Sequence, residues 1–167
     1  MLHFTHRHLS LTVPHLLLSA ATLVCLVLGA SLSVKAQNGS GARKADEPVM
    51  SEFRGVRIGM LADEARQKLG EPREKSDEQD FYVVNEQQTI QVLYDKASHK
   101  VIAVSADFLS GASDTPKPRD VFGTDLEAKA DGSIYKMVRY PKAGYWVAYS
   151  RTAGDAPLVT VTIQKIQ

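Results

Sequence analysis

The sequence predicts an α+β fold of two layers, with short helices on one face of an antiparallel sheet. Three observations carry that expectation. A segment of helical period at residues 62–69 is followed by three strand-like runs, at 80–85, 89–94 and 100–106. A shorter helical turn at 119–122 is followed by three more, at 133–140, 145–151 and 158–166. The links between successive strands are of hairpin length, too short for the crossover that parallel neighbours require. Helix followed by three strands, twice over, is the plan a duplicated α-β-β-β unit would give, although residue identity between the halves is thin.

The first helix has clear ends. Ala62, Ala65 and Leu69 recur at helical spacing, Asp63 and Glu64 fall in the first turn, and Arg66 and Lys68 fall in the last, the order the helix dipole favours. Gly70 follows as a C-terminal cap and Pro72 blocks continuation. Leu69 is the expected main apolar anchor of this helix. In the first hairpin a four-residue loop, 85–88, places Phe81, Val83, Ile90, Val92 and Tyr94 on one face, and Tyr82, Val84, Thr89 and Gln91 on the other. Residues 95–99 are polar and make the next turn. The Ser/Gly/Pro-rich stretch 110–118 separates the halves, 49–109 and 116–167, of a single domain.

In the second half the loop 141–144 pairs Tyr140 with Tyr145. Ile134, Val138, Tyr140, Tyr145, Val147 and Tyr149 then share one face and resemble core. Tyr135, Met137 and Arg139 share the other face with Trp146 and Ala148. The final strand alternates Val159, Val161 and Ile163 against Thr160, Thr162 and Gln164. In a two-layer fold one sheet face is covered and the other is free. Tyr135, Met137, Arg139 and Trp146 are therefore the candidate protein-binding face, because aromatic residues, Met and Arg are enriched where proteins bind one another. A cation–π contact between Arg139 and Trp146 would hold both side chains in place. The same residues would equally fill a second, smaller core, or belong to the main core if the faces were reversed.

Ahead of the domain, residues 1–36 have the order of a secretory signal peptide. Arg7 precedes an uncharged apolar run from Leu16, all acidic residues come later, and Val34-Lys35-Ala36 offers small residues for cleavage before Gln37. The alternative is a retained membrane anchor at 16–34, since about 19 uncharged residues approach the ~20 that span a bilayer. Either way the domain is expected outside the cytoplasm, in the periplasm or secreted. Residues 37–48, rich in Gly, Ala and charge, read as a flexible linker.

Composition excludes several classes of chemistry. With Arg7 and Lys35 in the leader, the remaining chain carries 18 Lys+Arg against 19 Asp+Glu, a net charge of −1. No basic block marks a nucleic-acid or membrane surface. Cys25, the sole cysteine, sits inside the apolar run, so the mature domain has no disulfide, thiolate metal site or cysteine nucleophile. His99 is the sole histidine after Ala36 and lies in a polar turn, which leaves neither a triad nor a zinc site. No phosphate-binding glycine pattern occurs. The acidic stretch Asp77-Glu78-Gln79-Asp80 lacks the glycine and spaced ligands of a calcium loop and reads as solvated. No catalytic residue, metal or cofactor is expected.

Residues 57–72, RIGMLADEARQKLGEP, resemble the opening motif of the bacterial envelope superfamily that contains the SmpA/OmlA-type outer-membrane assembly lipoproteins and the β-lactamase-inhibitor proteins. The matching positions are Gly59, Met60, Ala65, Leu69, Gly70 and Pro72, and the likeness extends to about residue 108. Leu61 stands where that family usually has a capping Ser or Thr, and its lipid-attachment cysteine is missing. The resemblance implies helices on one face of a sheet and a habit of binding other proteins. Each of the six residues also has a purely structural use in starting, packing or ending the helix. The function expected is a non-catalytic envelope protein, scaffold or inhibitor, whose partner is another envelope or secreted protein. The alternatives are a small-ligand or lipid carrier with a cavity between helix and sheet, and a hydrolase working with carboxylates alone.

Overall fold

The computed structural model describes residues 47–167. The leader with Cys25, its cleavage site, and the linker as far as residue 46 lie outside the described residues. Helix α1 spans Ala62–Leu69 and α2 spans Pro118–Phe122. The strands are β1 (Glu74–Lys75), β2 (Gln79–Asn85), β3 (Gln88–Tyr94), β4 (Val101–Phe108), β5 (Ile134–Tyr140), β6 (Tyr145–Arg151) and β7 (Val159–Lys165). All seven join one antiparallel sheet in the order β1-β2-β3-β4-β7-β6-β5. The α+β expectation therefore holds in broad terms, for a domain that is mostly sheet. Two three-stranded meanders, β2–β4 and β5–β7, meet where β4 lies against β7.

One face of this sheet is covered. Ile90, Val92, Val104, Ala106, Phe108, Val147, Val161 and Ile163 are buried on it, and they pack in one cluster with Val56, Met60, Ala65 and Val121. The chain before α1 crosses this face, with Phe53 packed edge-on against Phe108 at 6.1 Å between ring centroids. Helix α2 starts on Pro118, whose absent N–H costs nothing in the first turn, and buries Val121. Lys136 of β5 lies over its Phe122 ring at 5.1 Å.

Helix α1 solves its missing cap through the sheet. Leu61 offers no side-chain bond at the N-cap. Instead the Ala62 N–H donates to the His99 carbonyl at 3.0 Å, and Leu61 bridges to Lys100. The Val101 N–H donates to Met60 O, and the Gly59 N–H to Val101 O, each at 2.8 Å. Gly59 makes that approach at φ +84°, where a side chain would strain the backbone. The helix ends at Gly70, which takes φ +87° and donates to Arg66 O, and Pro72 follows, buried. Leu69 is not the main anchor. Ala62 and Ala65 are the buried residues of the helix, and Leu69 is half-buried at its end. Ala62 and Ala65 belong to the buried cluster, whereas Leu69, in the last turn, is still reached by solvent.

The β2–β3 register also differs from expectation. Strand β3 begins at Gln88, the loop shrinks to Glu86 and Gln87, and a bulge falls between Val83 and Asn85. Asp80 pairs with Val92 and Tyr82 with Ile90. A one-residue slip moves every side chain to the other face. Asp80 and Tyr82 thus join Ile90, Val92 and Tyr94 under the helix, while Phe81 and Val83 share the open face with Thr89 and Gln91. The reason is Gln88, a polar residue that reads as loop yet is buried, its amide oxygen accepting from Arg54 Nη2 at 2.9 Å.

Candidate functional site

Strands β5 and β6 pair in the expected register, with Tyr140 opposite Tyr145, Arg139 opposite Trp146 and Met137 opposite Ala148. Alternation along each strand then separates two sets. Ile134, Tyr140, Tyr145, Val147 and Tyr149 are buried on the covered face. Tyr135, Met137 and Arg139 point the other way and are exposed, with Tyr135 59% and Met137 45% accessible. Trp146 lies beside them, half-buried, between Arg139 on β5 and Gln164 on β7. The four candidate residues are thus neighbours on the open face. The expected cation–π contact between Arg139 and Trp146 is not formed, and the two are cross-strand neighbours only.

The middle of the open face is different in kind. There Ser105 and Asp107 of β4 face Thr162 and Thr160 of β7, with hydroxyls of Ser105 and Thr162 at 2.9 Å and Thr160 donating to Asp107 Oδ1 at 2.6 Å. The exposed aromatic and Met side chains are confined to the β5–β6 end of this part of the sheet. Beyond the polar seam, Phe81 and Leu93 are half-buried.

A second constellation was not expected. Asp80 is fully buried, and its carboxylate accepts from Arg66 Nε at 2.8 Å, Arg66 Nη2 at 3.1 Å, the Tyr94 hydroxyl at 2.7 Å and the Tyr82 hydroxyl at 3.3 Å. The Arg66 guanidinium also lies over the Tyr94 ring at 5.6 Å. Burial alone would raise the Asp80 pKa. The Arg66 and Tyr94 hydrogen bonds and the guanidinium charge outweigh it and hold the carboxyl below its usual value. Arg66 is raised in turn, first by its hydrogen bond to Asp80. Tyr82 is pushed up to about 12 by burial and by the Asp80 charge, and Tyr94 is raised further by the same causes. The acidic stretch is therefore not all solvated: its last member anchors α1 to β2 and β3.

Beside this cluster, at the C-terminal end of α1, a cleft of about 420 Å³ opens. Arg54, Lys68 and Arg73 surround it with one carboxylate, Glu71, over the apolar surfaces of Leu69, Val83, Val84 and Ile90. His99 lies elsewhere, exposed in its turn at φ +52°, where its carbonyl serves α1. Among the described residues no group of His, Cys, Asp and Glu is placed to hold a metal ion. Gly59, Met60, Ala65, Gly70 and Pro72 have the structural roles already described and do not converge on the open face. Compared with protein-family models, characterised proteins and solved structures, the chain matches none.

Proposed function

We propose that this chain is a non-catalytic exported protein of the cell envelope, periplasmic or secreted, that binds another protein through the β5–β6 end of its open sheet face. The observation that carries this reading is the exposed group Tyr135, Met137 and Arg139 beside half-buried Trp146, set against a polar seam at β4 and β7. The strands fix the backbone of these residues, so the ordering still lost on binding is that of the side chains. Asp80 has a structural use, as the buried partner of Arg66 and of the Tyr82 and Tyr94 hydroxyls. The sheet order, with the third strand of each meander at the centre, supports an ancestral α-β-β-β duplication. From the resemblance to the envelope superfamily we carry over only the habit of binding proteins, in a scaffold or inhibitor role.

Trp146→Ala tests the reading. It should lower stability by no more than about 2 kcal/mol, because the side chain is only partly covered, while abolishing capture of the envelope protein that the wild type retains. A core tryptophan would instead cost about 3–5 kcal/mol. Blue-shifted emission that resists iodide, from the single indole of the chain, would remove Trp146 from the binding face.

The cleft at the end of α1 favours a second reading, a carrier of an anionic amphiphile. Arg54, Lys68 and Arg73 line the cleft with one carboxylate, Glu71, and four aliphatic residues, and Arg54 is held by buried Gln88. A fluorescent fatty-acid analogue should bind the wild type and bind Arg54→Ala about tenfold or more weakly, the loss of one hydrogen bond to a charged group. Equal affinity in the two proteins would reject the cleft as its site.

A further inference from the structure

The two edges of the sheet are built differently. Strand β1 is two residues long, charged and exposed, and follows Pro72 closely, which are devices that keep an edge from pairing with another chain. Strand β5, at the other edge, is seven residues long and pairs with β6 without a bulge. It contains no proline, and among the described residues nothing pairs with its outer side. This longer edge, which carries Lys136 and Arg139 but neither proline nor bulge, is also the one whose open face carries Tyr135 and Met137.

We propose that β5 pairs antiparallel with β5 of a second copy of this chain, in the register centred on Met137. This register overlaps the whole strand, Ile134 to Tyr140. On the open face it sets Met137 against Met137 of the second copy and, twice, Tyr135 against Arg139, an aromatic ring against a guanidinium. On the covered face it sets Ile134 against Tyr140 and Lys136 against Val138. No like charges stand directly opposite each other. Moving the centre to Lys136 would place two ammonium groups opposite each other, and moving it to Val138 would bring Tyr135 against Pro141, which has no N–H to donate. Shifting by one residue would continue the covered face of one copy onto the open face of the other. Chemistry and overlap therefore select the same register.

The inference deepens the open-face reading and rests on it for what the pairing accomplishes. Two patches become one continuous strip, Tyr-Met-Arg against Arg-Met-Tyr, flanked on each side by a Trp146. A partner with repeated or two-fold related sites would engage both halves at once, with the gain in avidity that linked sites give.

Single-cysteine variants test the register, made in the full chain with Cys25→Ser. Residues directly opposite in an antiparallel pair have Cα atoms about 4.5–5.5 Å apart, within the span of a disulfide, about 4.4–6.8 Å. Met137→Cys should therefore oxidise to a disulfide dimer. Tyr135→Cys and Arg139→Cys should each stay monomeric alone, because like positions lie about 14 Å apart along the strands, yet form a mixed disulfide when combined. Met137→Lys should shift the wild-type dimer to monomer in sedimentation while still melting cooperatively, at a temperature that no longer rises with protein concentration. A wild type that sediments as a monomer, or Tyr135→Cys that dimerises as readily as Met137→Cys, would overturn the proposal. Trp146 is one strand in from the edge, so Trp146→Ala added to Met137→Cys should leave the disulfide intact. A dimer that captures no partner then rejects the open-face reading alone, and a monomer that captures one rejects this inference alone.

Discussion

Asp80→Ala should lower the unfolding free energy by about 3–5 kcal/mol in urea titrations at pH 7, the cost of breaking a buried ion pair by removing one partner. Asp80 is fully buried and the Arg66 side chain is only 19% accessible, so the loss leaves a guanidinium over Tyr94 with no counter-charge inside the fold. The Tyr82 and Tyr94 hydroxyls lose their acceptor in the same step. The salt bridge from Arg66 to Asp63 does not compensate, because Asp63 is 88% accessible and an exposed pair contributes little. Asp80→Leu combined with Arg66→Met should recover much of the loss. A cost for Asp80→Ala below about 1 kcal/mol would mean that Arg66 turns into solvent at no expense.

The same cluster sets the pH dependence. The Asp80 pKa is depressed in the fold. Its stabilisation is therefore complete above the unfolded carboxyl value of about 4 and disappears as pH falls through the lower folded value. Tyr82 behaves in the opposite sense: its pKa is raised to about 12, so its contribution is intact below the free tyrosine value of about 10 and is lost as pH climbs to about 12. Melts of the wild type against pH should thus show an acid loss below about pH 4 that is reduced in Asp80→Asn, and an alkaline loss that is reduced in Tyr82→Phe.

Phe108→Ala should cost about 3–5 kcal/mol, the range for truncating a buried aromatic. The ring is 1% exposed and sits edge-on to Phe53, and its backbone lies between Gln88 of β3 and Val159 of β7. It therefore touches the covering segment before α1, the first meander and the junction with the second. Urea unfolding followed at Trp146, in the other meander, should shift by the same amount as circular dichroism of the whole sheet. Separate transitions would show that the two meanders unfold independently.

How much of this was legible depended on local signals. The ends of α1 were readable because Gly70 and Pro72 stop a helix whatever surrounds it. The β5–β6 hairpin was readable because the loop with Pro141 and Gly144 sets Tyr140 against Tyr145, and the two-residue period of a strand then assigns each side chain its face. The β2–β3 hairpin was misjudged by one residue because Gln88 is a buried amide satisfied by Arg54, 34 residues earlier, and no local pattern encodes that. Asp80 was missed for a similar reason, since it ends an acidic run and its partner lies 14 residues away. One signal was present. Arg66 stands four residues after Ala62 and three before Leu69, on the apolar stripe of α1, and a cation on a buried stripe requires an anion to meet it. The Tyr135, Met137, Arg139 and Trp146 neighbourhood followed from alternation alone, whereas the partner such a face receives is a matter of surface shape that one sequence does not encode.

The junction of β4 with β7 bears on time as well as on structure. Every other pairing in the sheet joins strands that are consecutive in the chain or nearly so, through short turns. The bonds Ser105–Thr162 and Asp107–Thr160 join residues 57 and 53 apart. Closing so long a loop must precede any reward from the contacts it brings. Each meander can therefore assemble rapidly and reversibly by itself, and the search that limits folding is the one in which β7 finds β4. Until it does, the central strand of the finished sheet is an edge, with Val104, Ala106 and Phe108 uncovered on one side. The loss at Phe108 should accordingly appear as slower refolding rather than faster unfolding.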